Sequence, residues 1–90
     1  MDRIDRKVIM EIALEAGWVE VPCDAYTLSF QKYNNGEKVR INVWPRRANV
    51  GAQSGRKQVY KRNCSVDFLE KLFNNEDLSG EAGIKVIIGK

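Results

Sequence analysis

Lys32-Tyr33-Asn34-Asn35-Gly36-Glu37-Lys38-Val39-Arg40-Ile41-Asn42-Val43-Trp44 is the stretch on which the fold turns. Asn35-Gly36 lies between two alternating runs, and both residues tolerate the positive φ of a type I′ turn, so the segment reads as a β-hairpin. A two-residue turn there pairs Asn34 with Glu37 and fixes every rung beyond it. The Phe30–Ile41 and Leu28–Val43 rungs make one apolar face. Tyr33–Lys38, Gln31–Arg40 and Thr27–Trp44 make the other, polar and basic, with two aromatic rings.

Working outward, residues 4–16 carry Val8, Ile9, Ile12, Ala13 and Ala16 on one side, with Ile4 at its edge and Lys7, Glu11 and Glu15 opposite. That spacing predicts an amphipathic helix, with Asp2 or Asp5 available as cap and Gly17 at its end. Trp18-Val19-Glu20-Val21 is extended and stopped by Pro22, so it is at most an edge strand. Strands are expected over 26–33 and 38–44, with Pro45 putting Arg46 and Arg47 on a bend at the open end of the hairpin. Ala48-Asn49-Val50-Gly51 is a short strand candidate, 53–57 reads as loop, and Gln58 to Arg62 is extended again. Val59 and Tyr60 are adjacent, so alternation does not tell which one faces the core.

Ser65 is suited to cap a second helix over Val66–Asn74, with Asp67 in its first turn and Val66, Leu69 and Phe73 at core spacing. Residues 74–83 are polar and glycine-bearing, hence loop. Ile84 to Ile88 is a final strand, and its consecutive Val86, Ile87 and Ile88 read as buried on both faces, in an interior or docking position. The expected architecture is a single α+β domain over residues 1–90, in the order α-β-β-β-β-α-β, with two helices on one face of an antiparallel sheet.

Composition limits the chemistry. Ninety residues with 43% hydrophobic and 30% charged side chains make one soluble-type domain without room for a deep dedicated cleft beside its core. Neither a signal-peptide core nor a membrane-length apolar run is present, which makes a cytoplasmic or nuclear location the expectation. With no histidine and two distant cysteines, the usual zinc ligands are too few, no cofactor is implied, and both Cys23 and Cys64 are expected as reduced, buried thiols. The missing histidine also removes the commonest general base, and the acidic pairs Asp67/Glu70 and Glu76/Asp77 are explained by a capped helix and a solvated loop. The expectation is a protein without catalytic activity. Gly51 to Lys57 falls short of a Walker loop in spacing and precedes a strand instead of a helix.

Charge is segregated. From Lys32 to Arg62 nine bases meet one acid, a net of +8, while the remaining six bases and eleven acids give −5. A basic middle of this kind points to a polyanionic partner. The expected partner is nucleic acid, DNA or RNA, held by Lys38, Arg40, Arg46, Arg47, Arg56, Lys57, Lys61 and Arg62 as phosphate contacts, with Trp44 and Tyr33 as stacking rings. An acidic protein surface is the alternative partner, met by the same basic and aromatic face. The chain is expected as a monomer or as a homodimer through an edge strand.

Val43-Trp44-Pro45-Arg46-Arg47-Ala48-Asn49-Val50-Gly51, followed by a glycine-containing turn, a strand and the helix bearing Phe68 and Phe73, resembles the central strand pair and helix of WGR domains. The resemblance spans roughly residues 26–74. Val50-Gly51 matches the family pattern, but Arg47-Ala48-Asn49 stands where that family has Trp-Gly-Arg, so its DNA-contacting side chains have no counterparts here. The resemblance implies a small sheet-plus-helix module that binds DNA or couples nucleic acid to a protein. The order helix, strands, helix is also similar to double-stranded-RNA-binding folds.

Overall fold

The computed structural model describes residues 1–89 as helix α1 (Arg6–Glu15), strands β1 (Val19–Val21), β2 (Leu28–Asn34), β3 (Glu37–Trp44), β4 (Asn49–Ser54) and β5 (Lys57–Lys61), helix α2 (Val66–Phe73) and strand β6 (Lys85–Ile88). The six strands form one antiparallel sheet whose spatial order is the chain order. Five strands precede α2, one more than expected, because the short run before Pro22 does pair with β2. β2 to β5 are joined by short turns, whereas β5 and β6 are joined across α2.

The hairpin has the expected register: Asn34 opposes Glu37, Tyr33 opposes Lys38, Gln31 opposes Arg40, Phe30 opposes Ile41 and Leu28 opposes Val43. Asn35 and Gly36 have φ of +52° and +80°, as a type I′ turn requires. The Thr27–Trp44 rung lies beyond the first residue of β2. The second turn is tighter than composition suggested. Ser54 pairs with Lys57, so Gln53, Ser54 and Lys57 belong to strands, and only Gly55-Arg56 turns the chain.

Both helices cap their own ends. The Asp5 carboxylate accepts from the Lys7 N–H at 2.8 Å, so α1 starts later than its apolar pattern, and Gly17 follows it at φ +88°. Ser65 Oγ accepts from the Phe68 N–H at 3.1 Å. Phe68, Leu69 and Phe73 face the sheet and Val66 does not, which moves the buried stripe of α2 off the expected Val66 position. Alternation puts Leu28, Phe30, Ile41, Val43 and Val50 under the helices, where Ile9 and Ala13 of α1 join them. It also resolves Val59 to the helix side, opposite Ala52, and Tyr60 to the open face, opposite Gly51.

Phe73 is the hub of this core. Its ring meets Trp18 edge-on at 5.6 Å and Phe30 edge-on at 5.4 Å, and its carbonyl accepts the Trp18 indole N–H at 2.8 Å. One side chain thus joins the end of α2, the segment after α1 and the middle of the sheet.

Two expectations are corrected. Cys64 is buried but Cys23 is exposed, because it follows Pro22 in the irregular connection to β2. β6 lies at the free edge of the sheet and not in its interior, with Val86, Ile87 and Ile88 all exposed. Truncating Phe73 to alanine is expected to destabilise the domain by about 3–5 kcal/mol, since it removes both edge-on partners and leaves a cavity. Urea denaturation followed by tryptophan emission measures this, and a loss below about 1 kcal/mol would be incompatible with the packing described.

Candidate nucleic-acid interface

The open face of the sheet is polar along its middle. Gln31, Arg40, Gln53 and Gln58 form one rung row, and Ser29, Asn42, Gly51 and Tyr60 the next. Arg40 donates from Nε to Ser29 Oγ at 3.1 Å, and the Ser29 hydroxyl in turn bonds Asn42 Oδ1. Arg40 is therefore committed to a polar network within the sheet.

Beyond this row, toward the β3–β4 connection, lies a broad cleft lined by Arg3, Arg46, Arg47, Arg62, Trp44, Tyr26, Tyr60, Asn49 and Asn63 together with Met1. Trp44 and Tyr60 meet edge-on at 6.3 Å across Gly51. A Cβ at Gly51 would stand 3.5 Å from the Trp44 ring and 3.8 Å from Tyr60, so the absent side chain is what lets both rings lie down on the sheet. Trp44 is half-buried, with its remaining surface opening on the cleft.

Three chain segments hold the arginines in place. The Pro45 carbonyl accepts the N–H groups of Arg3 at 3.0 Å and Ile4 at 3.3 Å, tying the N-terminal segment to the connection that bears Arg46 and Arg47. Ala48 closes that connection at φ +55°, and its carbonyl accepts the Cys64 N–H. Arg3 Nη1 donates to Asn63 Oδ1 at 2.7 Å, linking the N-terminal segment to the loop that follows Arg62. Arg6 anchors the Tyr26 loop by donating to the Ala25 carbonyl at 2.6 Å. A left-handed alanine is strained relative to glycine, and its persistence beside the cleft reflects these anchors.

Among the described residues no carboxylate lines the cleft. The two ion pairs among the described residues, Arg6–Asp2 and Lys71–Glu81, leave its four arginines out. Asp24, close to Tyr26 in the chain, is engaged by the Thr27 hydroxyl and the Tyr26 N–H, which hold its carboxyl below the usual carboxylate range. Four guanidinium groups converging without a counter-charge raise the local potential for anions.

Of the residues expected from sequence, Trp44, Arg46, Arg47 and Arg62 meet in this cleft. The others lie elsewhere. Tyr33, Lys38 and Arg56 are at the opposite end of the sheet, by the two tight turns, about six residues or roughly 20 Å along the strands. Glu37 sits among them, accepting from Ser54 Oγ at 3.0 Å, so that end is partly neutralised. Lys57 and Lys61 point to the helix side, and Lys61 donates to the Ala82 carbonyl at 2.8 Å while lying over the Phe68 ring. Arg3, Tyr26 and Tyr60 escaped sequence reading. Tyr60 had a usable signal, since β-branched Val59 suits the core and puts Tyr60 and Arg62 together on the other face.

Among the described residues no three His, Cys, Asp or Glu side chains group closely enough to hold a metal ion, and no helix is long and apolar enough to cross a membrane. Compared with models of known families, with curated proteins and with solved structures, the chain gives no match in any of the three.

Two measurements check this description. In a Trp18→Phe variant, which leaves Trp44 as the sole tryptophan, the ratio of iodide to caesium quenching is expected to exceed that of a free, uncharged tryptophan amide at low salt, with the excess closing as screening increases. A ratio equal to that of the free amide would contradict an electropositive cleft. Burial pushes the Cys64 thiol up to about 11, so near pH 8 it remains protonated, while Cys23 is open to solvent. A thiol reagent should accordingly modify one cysteine in the native protein and both in denaturant.

Proposed function

We propose that this domain binds nucleic acid without catalysis, through the cleft at the β3–β4 end of the open sheet face. The observation that carries the reading is the composition of that cleft among the described residues: four arginines, three aromatic rings and no carboxylate. Arginine is the side chain whose planar fork matches phosphate oxygens in pairs, and it keeps its charge at any working pH. Trp44 on the floor offers a ring on which an unpaired base can stack, with Tyr60 and Tyr26 beside it.

Contacts of this kind are made chiefly to the backbone and carry little sequence information. Sequence preference is therefore expected to be weak. The likeness of Val43 to Gly51 to the central strand pair of WGR domains points to the same class of ligand, with Trp44, Arg46 and Arg47 as contacts of this chain's own and not the family's Trp-Gly-Arg. An intracellular site of action accords with such a ligand.

The test is fluorescence anisotropy with labelled single-stranded DNA, duplex DNA and duplex RNA over a range of salt. If all four arginines meet phosphates, the logarithm of the affinity should fall against the logarithm of salt with a slope of about −3 to −4. Joint reversal of Arg46→Glu and Arg47→Glu should reduce affinity by about 100-fold or more. The same reversal of Arg56 and Lys57, at the far end of the sheet, should change it by less than about threefold. Retained affinity in the Arg46/Arg47 variant overturns the site. Absence of binding to all three polymers at low salt overturns the function and leaves an acidic protein surface as the ligand of the cleft.

A further inference from the structure

β6 closes the sheet, and among the described residues no strand pairs with its outer side. The Gly89 N–H donates to the Arg56 carbonyl at 2.8 Å, which sets the phase of the β5–β6 ladder. Lys85, Ile87 and Gly89 turn their backbone polar groups toward β5, and Val86 and Ile88 turn theirs outward. The same strand presents Val86, Ile87 and Ile88 at 53%, 57% and 76% exposure.

Sheet edges are ordinarily guarded by shortness, charge or proline. β1, at the opposite edge, has all three protections: it is three residues long, has Glu20 at its centre and is followed by Pro22. β6 is also short, at four residues, but after Lys85 it has neither a charge nor a proline from Val86 to Ile88.

We propose that β6 pairs antiparallel with β6 of a second copy of this chain, about a two-fold axis normal to the sheet, to form a closed homodimer. Such an axis places one residue opposite itself. With Ile87 opposite the partner's Ile87, Val86 meets the partner's Ile88. Both are outward-turned residues, so each such pair exchanges two N–H···O bonds and symmetry repeats them. On the helix side, Val86 and Ile88 of each copy extend the row already occupied by Val59. On the open face the two Ile87 side chains cover each other.

Lys85 then falls opposite the partner's Gly89, where no like charge or bulky side chain opposes it. A register centred on Lys85 would set two lysines against each other, and one centred on Val86 would oppose Lys85 to the partner's Ile87. Self-pairing thus matches apolar with apolar on both faces at once, which a strand of ordinary alternating pattern cannot do. Because β1 is guarded, the isologous contact closes and does not propagate. The proposal is independent of what the arginine cleft binds.

Sedimentation equilibrium across a wide range of protein concentration tests it. The wild-type chain should approach twice its 10.3 kDa mass. Ile87→Lys opposes two lysines across the axis and should return the mass to that of one chain, with an unchanged circular dichroism spectrum. In a Cys23→Ser background, Ile87→Cys should form an interchain disulfide under mild oxidation, because opposed residues of this pair type stand about 4.5 Å apart at Cα. Val86→Cys should not. A chain that stays monomeric at every concentration, a dimer that survives Ile87→Lys, or an Ile87→Cys variant that folds without cross-linking overturns the proposal.

Discussion

A slip of one residue at the Asn35-Gly36 turn would set Phe30 opposite Asn42 and, with Phe30 still under the helices, turn Ile41 and Val43 outward and Trp44 into the core. Because side chains alternate along a strand, the pairing of Phe30 with Ile41 fixes the facing of every residue from β2 to β5 through the successive antiparallel registers. The helices then have one apolar surface to cover, and their buried residues, Ile9 and Ala13 from one and Phe68, Leu69 and Phe73 from the other, are placed to cover it. The polar face left over is where Trp44 lies, one position past buried Val43. Core and cleft are thus both consequences of one register.

The cleft works against stability. Clustering Arg3, Arg46, Arg47 and Arg62 with no carboxylate among the described lining residues raises the energy of the compact state, and Ala48 is held at a φ that disfavours a side chain. Replacing Ala48 by glycine would relax the backbone at the expense of a buried methyl group, which is why alanine is a workable compromise there. What offsets these costs is local: the two bonds to the Pro45 carbonyl, the bond from Cys64 to the Ala48 carbonyl and the Arg3–Asn63 contact bind three segments into one platform. The Phe73 cluster supplies the remaining rigidity from the other side of the sheet.

Local chemistry made most of the fold legible. Asn35-Gly36, the Ser65 cap, Gly17 and the alternation of β2 and β3 are each signals read over a few residues, and each agrees with the global arrangement. The cleft was legible only in part, because it is assembled from segments far apart in the chain. Arg46 and Arg47 were found through Pro45, whereas Arg3 arrives by backbone bonds to the Pro45 carbonyl that no pattern in the N-terminal segment encodes. The basic segment from Lys32 to Arg62 likewise reads as one stripe, yet alternation and the turns split it among two ends and two faces of the sheet. Net charge over a stretch is a property of sequence; convergence of charge is a property of topology.

β6 is where local pattern and observed position conflict most. Three consecutive β-branched residues suit a strand with neighbours on every side, and the isolated chain gives them β5 alone. Elsewhere in the sheet each strand's composition agrees with its surroundings: β1 is short and carries a central acid at an edge, and β3 is half apolar between a covered and an open face. A sequence that satisfies its own fold so consistently has little reason to leave its most apolar strand exposed unless that strand has a partner. Outward-turned N–H and C=O groups on Val86 and Ile88 supply the directional half of an interface, and Val86, Ile87 and Ile88 supply the apolar half on both faces. The second half of such an interface has to be extended, apolar on both sides and uncharged at its centre, and β6 itself meets all three conditions.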